Sequence, residues 1–379
     1  MMGSVLLSAL FLVLVAIFAT TANGLAIEGH GSVTFRSGGV ELEKQELPDF
    51  LLPYHSRSLE LTESAFDDPS LICTRAVQYG SKEHQFLDVW ASSEEETGEK
   101  ARPVVVFIHG GGWDWGYREW VGFCSQNVCR DGQAIMVAPS YSLGIGKNCA
   151  WPNSRDDIVE VLRWIASQDE NGPIAKAGGD PSKIILAGHS AGGHLAACVG
   201  LNEELLTEEG IDPKIIQALF LVSCPLGIRA EDFFPALSKR KWRWWVFGPF
   251  ARALYKRSFL KFLRPVVGSH KDGESTKETI RRFAEDASPL FWLDQLKAHP
   301  GPFVHYSYAT KKDFPICRPH SKSLVKILDD GDDGSNSNNV EILEMLEVEG
   351  HFDSHFSLAD STSEWHDALT KIIISSSAQ

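Results

Sequence analysis

The chain has 379 residues, 43% hydrophobic and 23% charged, with a formal net charge of −14. That is enough material for one large α/β domain with a sizeable core, without invoking a second domain. The acidic balance argues against a nucleic-acid partner, because such proteins present a basic footprint to phosphates.

Residues 1–24 stand apart. The apolar run at 5–19 has the length of a signal-peptide core, and the small residues Ala22 and Gly24 suit a cleavage site. A bilayer span usually needs about 20 apolar residues. The expectation is therefore a cleaved signal and a secreted or endomembrane-lumen protein, with an N-terminal membrane anchor as the alternative. The chain's seven cysteines would then meet an oxidising compartment. Cys124, Cys129 and Cys149 are close enough in sequence for one pair to be bridged, and the odd count leaves a thiol over. Residues 25–70 show no persistent period and read as an N-terminal extension lying on a main domain of residues 71–379.

Within that domain, two short strand-like runs at 73–79 and 85–90 flank Gly80-Ser81-Lys82-Glu83, the pattern of a hairpin. Residues 103–108 and 134–138 are continuous apolar runs, as expected of strands buried on both faces of a parallel sheet. Ile158, Val161, Leu162 and Ile165 then repeat at helical spacing. A third such strand at 183–188 leads into a helix at 191–201. Further strands are expected at 215–222, 302–308 and 340–348, with helices at 321–328 and 364–374. Strands alternating with helices define an α/β class with a mostly parallel central sheet and helices on both faces. Ligands in such sheets bind at the carboxyl ends of the strands.

Two insertions interrupt the alternation. Residues 329–339 form a polar loop rich in aspartate that lacks the ligand spacing of a calcium loop, and no Cys/His spacing of zinc type occurs, so no metal is expected. The longer insertion, at about 228–287, reverses the local charge. Its stretch from Lys239 to Arg264 holds no acidic residue and interleaves Arg240, Lys241 and Arg243 with Trp242, Trp244 and Trp245. A helical lid explains this composition, with aromatics roofing a cleft and the basic heads in water. Peripheral contact with an anionic membrane is a second expectation for the same stretch.

The chemistry gathers at strand ends. Gly188-His189-Ser190-Ala191-Gly192 follows the third apolar strand immediately and opens a helix. Such a Gly-x-Ser-x-Gly turn lifts a nucleophilic serine hydroxyl out of the sheet's edge. His109-Gly110-Gly111-Gly112-Trp113 follows the strand at 103–108, and its bare N–H groups suit a developing oxyanion. In hydrolases with this arrangement the loop shares that task with the N–H after the nucleophile, which makes Gly111, Gly112 and Ala191 the candidate oxyanion hole. The orienting acid and the base then follow the serine in chain order. Asp313 lies just past the strand at 302–308. His351 follows the last strand and is preferred as base; His355, four residues later, is the alternative.

These pieces resemble the esterase/lipase branch of the α/β hydrolases, with kynurenine formamidases, feruloyl-esterase-like enzymes and isoprenylcysteine methylesterases as the nearest groups. The resemblance rests on residues 109–113, Trp151-Pro152 with Asp156 and Asp157, Gly178-Gly179-Asp180-Pro181, residues 188–194, Ser288-Pro289-Leu290, Asp313 and Gly350-His351-Phe352. It implies the α/β-hydrolase fold and a serine hydrolase that cleaves a small-molecule ester or amide through an acyl-enzyme, without cofactor or metal. Within it, carboxylesterase is the leading expectation, and arylformamidase and prenylcysteine methyl esterase are alternatives. A catalytically inactive binding module is the rival of another class, and it would have lost the serine or the histidine.

Overall fold

The computed structural model describes residues 31–37, 40–93, 101–131, 133–144, 151–229, 276–296, 301–313, 316–329 and 340–378. The expected signal or anchor segment lies outside these residues, as do most of the 228–287 insertion, including 239–264, and nearly all of the 329–339 loop.

The N-terminal extension carries more order than its sequence suggests. Strands β1 (Gly31–Ser37) and β2 (Val40–Leu47) pair antiparallel, and helix α1 (Leu52–Phe66) follows, with a proline in its first turn. Pro fits there because the first helical N–H groups lack intrahelical partners anyway.

The main sheet contains β3 (Leu71–Gln78), β4 (Phe86–Ser92), β5 (Arg102–Ile108), β6 (Ile135–Pro139), β7 (Gly179–His189), β8 (Ile216–Val222), β9 (Phe303–Ala309) and β10 (Val340–Met345). Their spatial order is β10-β9-β8-β7-β5-β6-β4-β3. From β10 to β6 every pairing is parallel; β4 pairs antiparallel with β6, and β3 with β4 as the expected hairpin.

Helices cover both faces, and the pleat decides which side chains they meet. Along β5, Val104, Val106 and Ile108 join one core cluster, whereas Val105 and Phe107 join the other. The first cluster takes in Ile158, Val161, Leu162 and Ile165 of α2 (Asn153–Ala166) and Leu195 of α3 (Ala191–Gly200). Past β8 this side also receives α4 (Thr276–Asp286), α5 (Pro289–Leu296) and α6 (Cys317–Asp329). The opposite cluster takes in Ala65 of α1, then Phe123, Cys124 and Cys129. It is completed by Trp365 and Ile373 of α8 (Glu364–Ala378), which follows the short α7 (His351–Phe356). Cys124 and Cys129 are separate, buried thiols and not a bridged pair. Both side chains pack into this apolar layer, and the Cys129 thiol donates to the Trp90 carbonyl at 3.3 Å. Cys149 lies outside the described residues.

The long insertion leaves and rejoins the domain at one clasp. The Ile228 N–H donates to Ser288 Oγ at 2.8 Å, and the Leu290 N–H to the Leu226 carbonyl at 3.0 Å. His194 of α3 donates from Nε2 to the Ala287 carbonyl at 2.8 Å. Among the described residues, no helix is long and apolar enough to cross a membrane.

Candidate active site

Strand β7 ends at His189 and α3 begins at Ala191, so Ser190 alone makes the turn, at φ 55° and ψ −122°. A left-handed φ in a non-glycine residue persists only where the surroundings over-determine it. Here the Ser190 N–H donates to the Val222 carbonyl at 2.9 Å, and its carbonyl accepts from the His194 N–H at 3.1 Å. The backbone around it is in direct contact. A Cβ added to Gly192 would fall 2.0 Å from the Ile108 carbonyl oxygen, and one added to Gly188 would fall 2.5 Å from the Gly192 carbonyl carbon. Only glycine at both positions lets the start of α3 rest on the ends of β5 and β7.

The glycine loop after β5 lies beside this turn, since a Cβ on Gly110 would be 3.2 Å from Ser190 Cβ. Gly111 adopts φ +116°, and its carbonyl accepts from the N–H groups of Asp114 and Trp115 at 3.2 and 3.1 Å. His109 anchors the loop's first turn. Its ring stacks on Tyr141 at 4.3 Å, its Nδ1–H donates to the Gly110 carbonyl at 2.7 Å, and burial pulls its pKa down to about 4.

The partners expected of the serine converge on it from two other strand ends. His351 Nε2 lies 2.9 Å from Ser190 Oγ, and His351 Nδ1 lies 2.9 Å from Asp313 Oδ1. The other carboxylate oxygen, Oδ2, accepts from Ser223 Oγ at 2.5 Å and from the Ala309 N–H at 2.9 Å. Asp313 is thereby held on both oxygens. Strand β10 stops at Met345, earlier than the sequence suggests, and a parallel bridge between Lys312 and Gly350 carries the pairing on beside both residues. His351 then opens α7 with its side chain 11% exposed, whereas that of Asp313 is 3% exposed. The histidine is thus a little more exposed than the acid behind it.

His355 occupies a different place. It is fully buried, with Tyr54 and Phe123 rings each 5.0 Å away, and donates from Nε2 to the Trp120 carbonyl at 3.0 Å. Burial pulls its pKa down to about 3. His320, also buried, accepts the Leu226 N–H at 3.0 Å. Among the described residues no group of three or more His, Cys, Asp or Glu could hold a metal ion.

Two residues of this neighbourhood escape the sequence reading, Ser223 and Ser354, and so does the contact made by His189. Ser223 ends the apolar run of β8, and a polar residue at that carboxyl end is the signal that points to it. Ser354 carries no comparable mark, and His189 is legible only as a variable position of the serine turn.

A sheet in this order, with a serine turn after β7 and its expected partners beyond β9 and β10, has the α/β-hydrolase fold. Residues 105–242 match the family described as alpha/beta hydrolase fold. Carboxylesterase 20 of Arabidopsis thaliana is 39% identical over 139 residues, which cover 36% of this chain and 41% of that protein. A probable isoprenylcysteine alpha-carbonyl methylesterase, ICMEL1 of Oryza sativa subsp. japonica, is 33% identical over 136 residues, covering 36% and 29%. The matched stretch thus spans less than half of the length of either curated relative. Among solved structures, esterase B from Lactobacillus rhamnosis superposes with a TM-score of 0.58 at 16% identity, covering 87% of this chain and 94% of that one. At that identity the likeness is one of fold.

Proposed function

We propose that the chain is a carboxylic ester hydrolase in which Ser190 is the nucleophile, His351 the base and Asp313 the orienting acid. The observation that carries this reading is the unbroken run Ser190 Oγ, His351 Nε2, His351 Nδ1, Asp313 Oδ1, with 2.9 Å at each of its two hydrogen bonds. His351 Nε2 takes the Ser190 proton as Oγ bonds to the ester carbonyl carbon, and the Asp313 carboxylate stabilises the imidazolium that forms. The N–H groups of Gly111, Gly112 and Ala191 receive the oxyanion. The imidazolium then protonates the departing alkoxide, leaving an acyl group on Ser190. Water, deprotonated by His351, attacks that acyl group; the acid is released and the serine proton restored.

The similarity to carboxylesterases supports an ester substrate, and the likeness to ICMEL1 supports prenylcysteine methyl esters as one class. The basic, aromatic stretch 239–264 suits work at an anionic membrane, and the apolar run at 5–19 suits delivery to the secretory pathway or anchoring. Labelling by a fluorophosphonate probe tests the reading: the native chain should be labelled and Ser190→Ala should not. Labelling of the mutant would overturn it. Turnover of short and long acyl esters, N-formylkynurenine and prenylcysteine methyl esters then ranks the substrates, with activity confined to the formamide favouring an arylformamidase.

A further inference from the structure

The carbonyl oxygen of His351 is held by side chains as well as by its place in the chain. His189 Nε2 lies 2.9 Å from it, and Ser354 Oγ donates to it at 2.6 Å. A carbonyl accepts only, so the His189 proton is on Nε2. The remaining nitrogen, Nδ1, is buried and without a hydrogen-bond partner among the described residues, and it faces the glycine loop closely enough that a Cβ on Gly110 would fall 3.2 Å away. A proton there would have no acceptor. The other groups around this ring are His351 and His355, with centroids 4.7 and 4.8 Å away, and Tyr54 at 6.5 Å. None carries a negative charge that would favour an imidazolium, and burial drives the His189 pKa well below its ordinary value. His189 is therefore a neutral donor in one tautomer.

Its position in the chain gives the contact its meaning. His189 precedes Ser190 directly, so the last strand residue before the nucleophile also grips the residue that carries the base. Ser354, one helical turn after His351, lies 3.0 Å from Ser223 Oγ, which donates to Asp313. The backbone of the base is thus tied to the nucleophile's strand by hydrogen bonds, while the Ser354 hydroxyl, its proton already given to the His351 carbonyl, rests against the acid's hydrogen-bond partner. Gly350, immediately before the base, is extended, and α7 has only six residues. So short a helix draws little rigidity from its own hydrogen bonds.

We infer that His189 and Ser354 are positioning residues that fix the His351 backbone, His189 through its Nε2–H donor and Ser354 through its hydroxyl. The inference rests on the reading of His351 as the base of Ser190. A misplacement of about 1 Å at such a centre costs on the order of 100-fold in rate.

The experiment compares His189→Gln with His189→Asn. A glutamine amide nitrogen stands as many bonds from Cβ as Nε2 does, whereas an asparagine amide nitrogen stands where Nδ1 does. The readouts are the fluorophosphonate labelling rate and the kcat and KM for p-nitrophenyl acetate. The His189→Asn variant should lose about 10- to 100-fold in kcat and in labelling rate, with KM within about twofold, and His189→Gln should recover most of the loss. Ser354→Ala should lower kcat in the same direction. Equal rates in the two histidine variants, or a loss confined to KM, overturn the inference; so does native turnover in both His189→Asn and Ser354→Ala. If neither histidine variant folds, the Ser354→Ala kcat decides alone. Failure of the native chain to be labelled at all would refute the hydrolase reading and is a separate outcome.

Discussion

Replacing Asp157 with asparagine should flatten the acid limb of the protein's stability curve. Asp157 sits on α2 with its side chain 1% exposed. It accepts from Lys82 Nζ at 2.7 Å, Gln85 Nε2 at 2.8 Å, His84 Nε2 at 3.0 Å and the Ser142 N–H at 2.7 Å. It thereby ties the β3–β4 turn and the segment after β6 to α2. Burial alone would raise its pKa, but hydrogen bonds from His84, Lys82 and Ser142 outweigh that and lower it from 3.8 to about 2. A carboxyl depressed in the folded state adds stability above its unfolded pKa and loses it as pH falls through the folded one. A drop from 3.8 to about 2 corresponds to about 2.4 kcal/mol at neutral pH, of which about 1 kcal/mol is gone by pH 3. Urea unfolding of the native chain and Asp157→Asn at several pH values from about 7 to about 3 reads this directly. Costs of the substitution that do not depend on pH cancel in the comparison, so the stability gap between the two proteins should narrow by about 1 kcal/mol across that range. A constant gap would show that the carboxylate is not selectively stabilised, and the reasoning would fail.

Three further outcomes follow from particular contacts. Ser223→Ala removes a donor to Asp313 Oδ2, and kcat/KM should fall about tenfold, the equivalent of one hydrogen bond to a charged group; an unchanged kcat/KM would show the bond to be idle. Gly192→Ala drives a methyl to within 2.0 Å of the Ile108 carbonyl oxygen, and because backbone must move to admit it, chemical unfolding should show a loss of at least about 1–3 kcal/mol together with slower fluorophosphonate labelling. Arg118→Met removes the wholly buried guanidinium that contacts Asp88 and Glu119 at 2.8 and 2.9 Å, leaving Asp88 the Ala76 N–H and Glu119 a 3.5 Å contact with Arg75. About 3–5 kcal/mol should be lost in the same unfolding assay, and a loss under about 1 kcal/mol would mean that water or the remaining partners compensate the two carboxylates.

Legibility in the sequence tracks how local each cause is. The inner strands of the sheet read out directly, because a strand covered on both faces must be apolar at every position, as β5 and β6 nearly are. The serine turn and the glycine loop are equally plain, since each is a few consecutive residues whose spacing is forced by backbone contact. Helix α1 is not legible. Its buried positions include His55, Ser58 and Thr62, polar residues that break any apolar period. Their burial depends on distant partners: the Thr62 hydroxyl donates to the Glu119 carbonyl at 2.9 Å, and His55 accepts from Trp120 Nε1 at 3.1 Å.

The same distinction explains why sequence alone leaves the choice between His351 and His355 open. Both follow the last strand, and four residues on one helix place them a single turn apart, so the nearness of His351 to the strand's end favours it without excluding His355. What separates them is what lies across from each. His351 meets Ser190 and Asp313, brought from strands β7 and β9, while His355 meets the Trp120 carbonyl in the layer covered by α1. The N-terminal extension therefore bears on the site: through Tyr54, whose ring lies 5.0 Å from His355 and 5.1 Å from Phe352, it packs against the helix that carries His351. That packing, with the grip of His189 and Ser354, is what a six-residue helix needs in order to hold one imidazole between two hydrogen bonds of 2.9 Å.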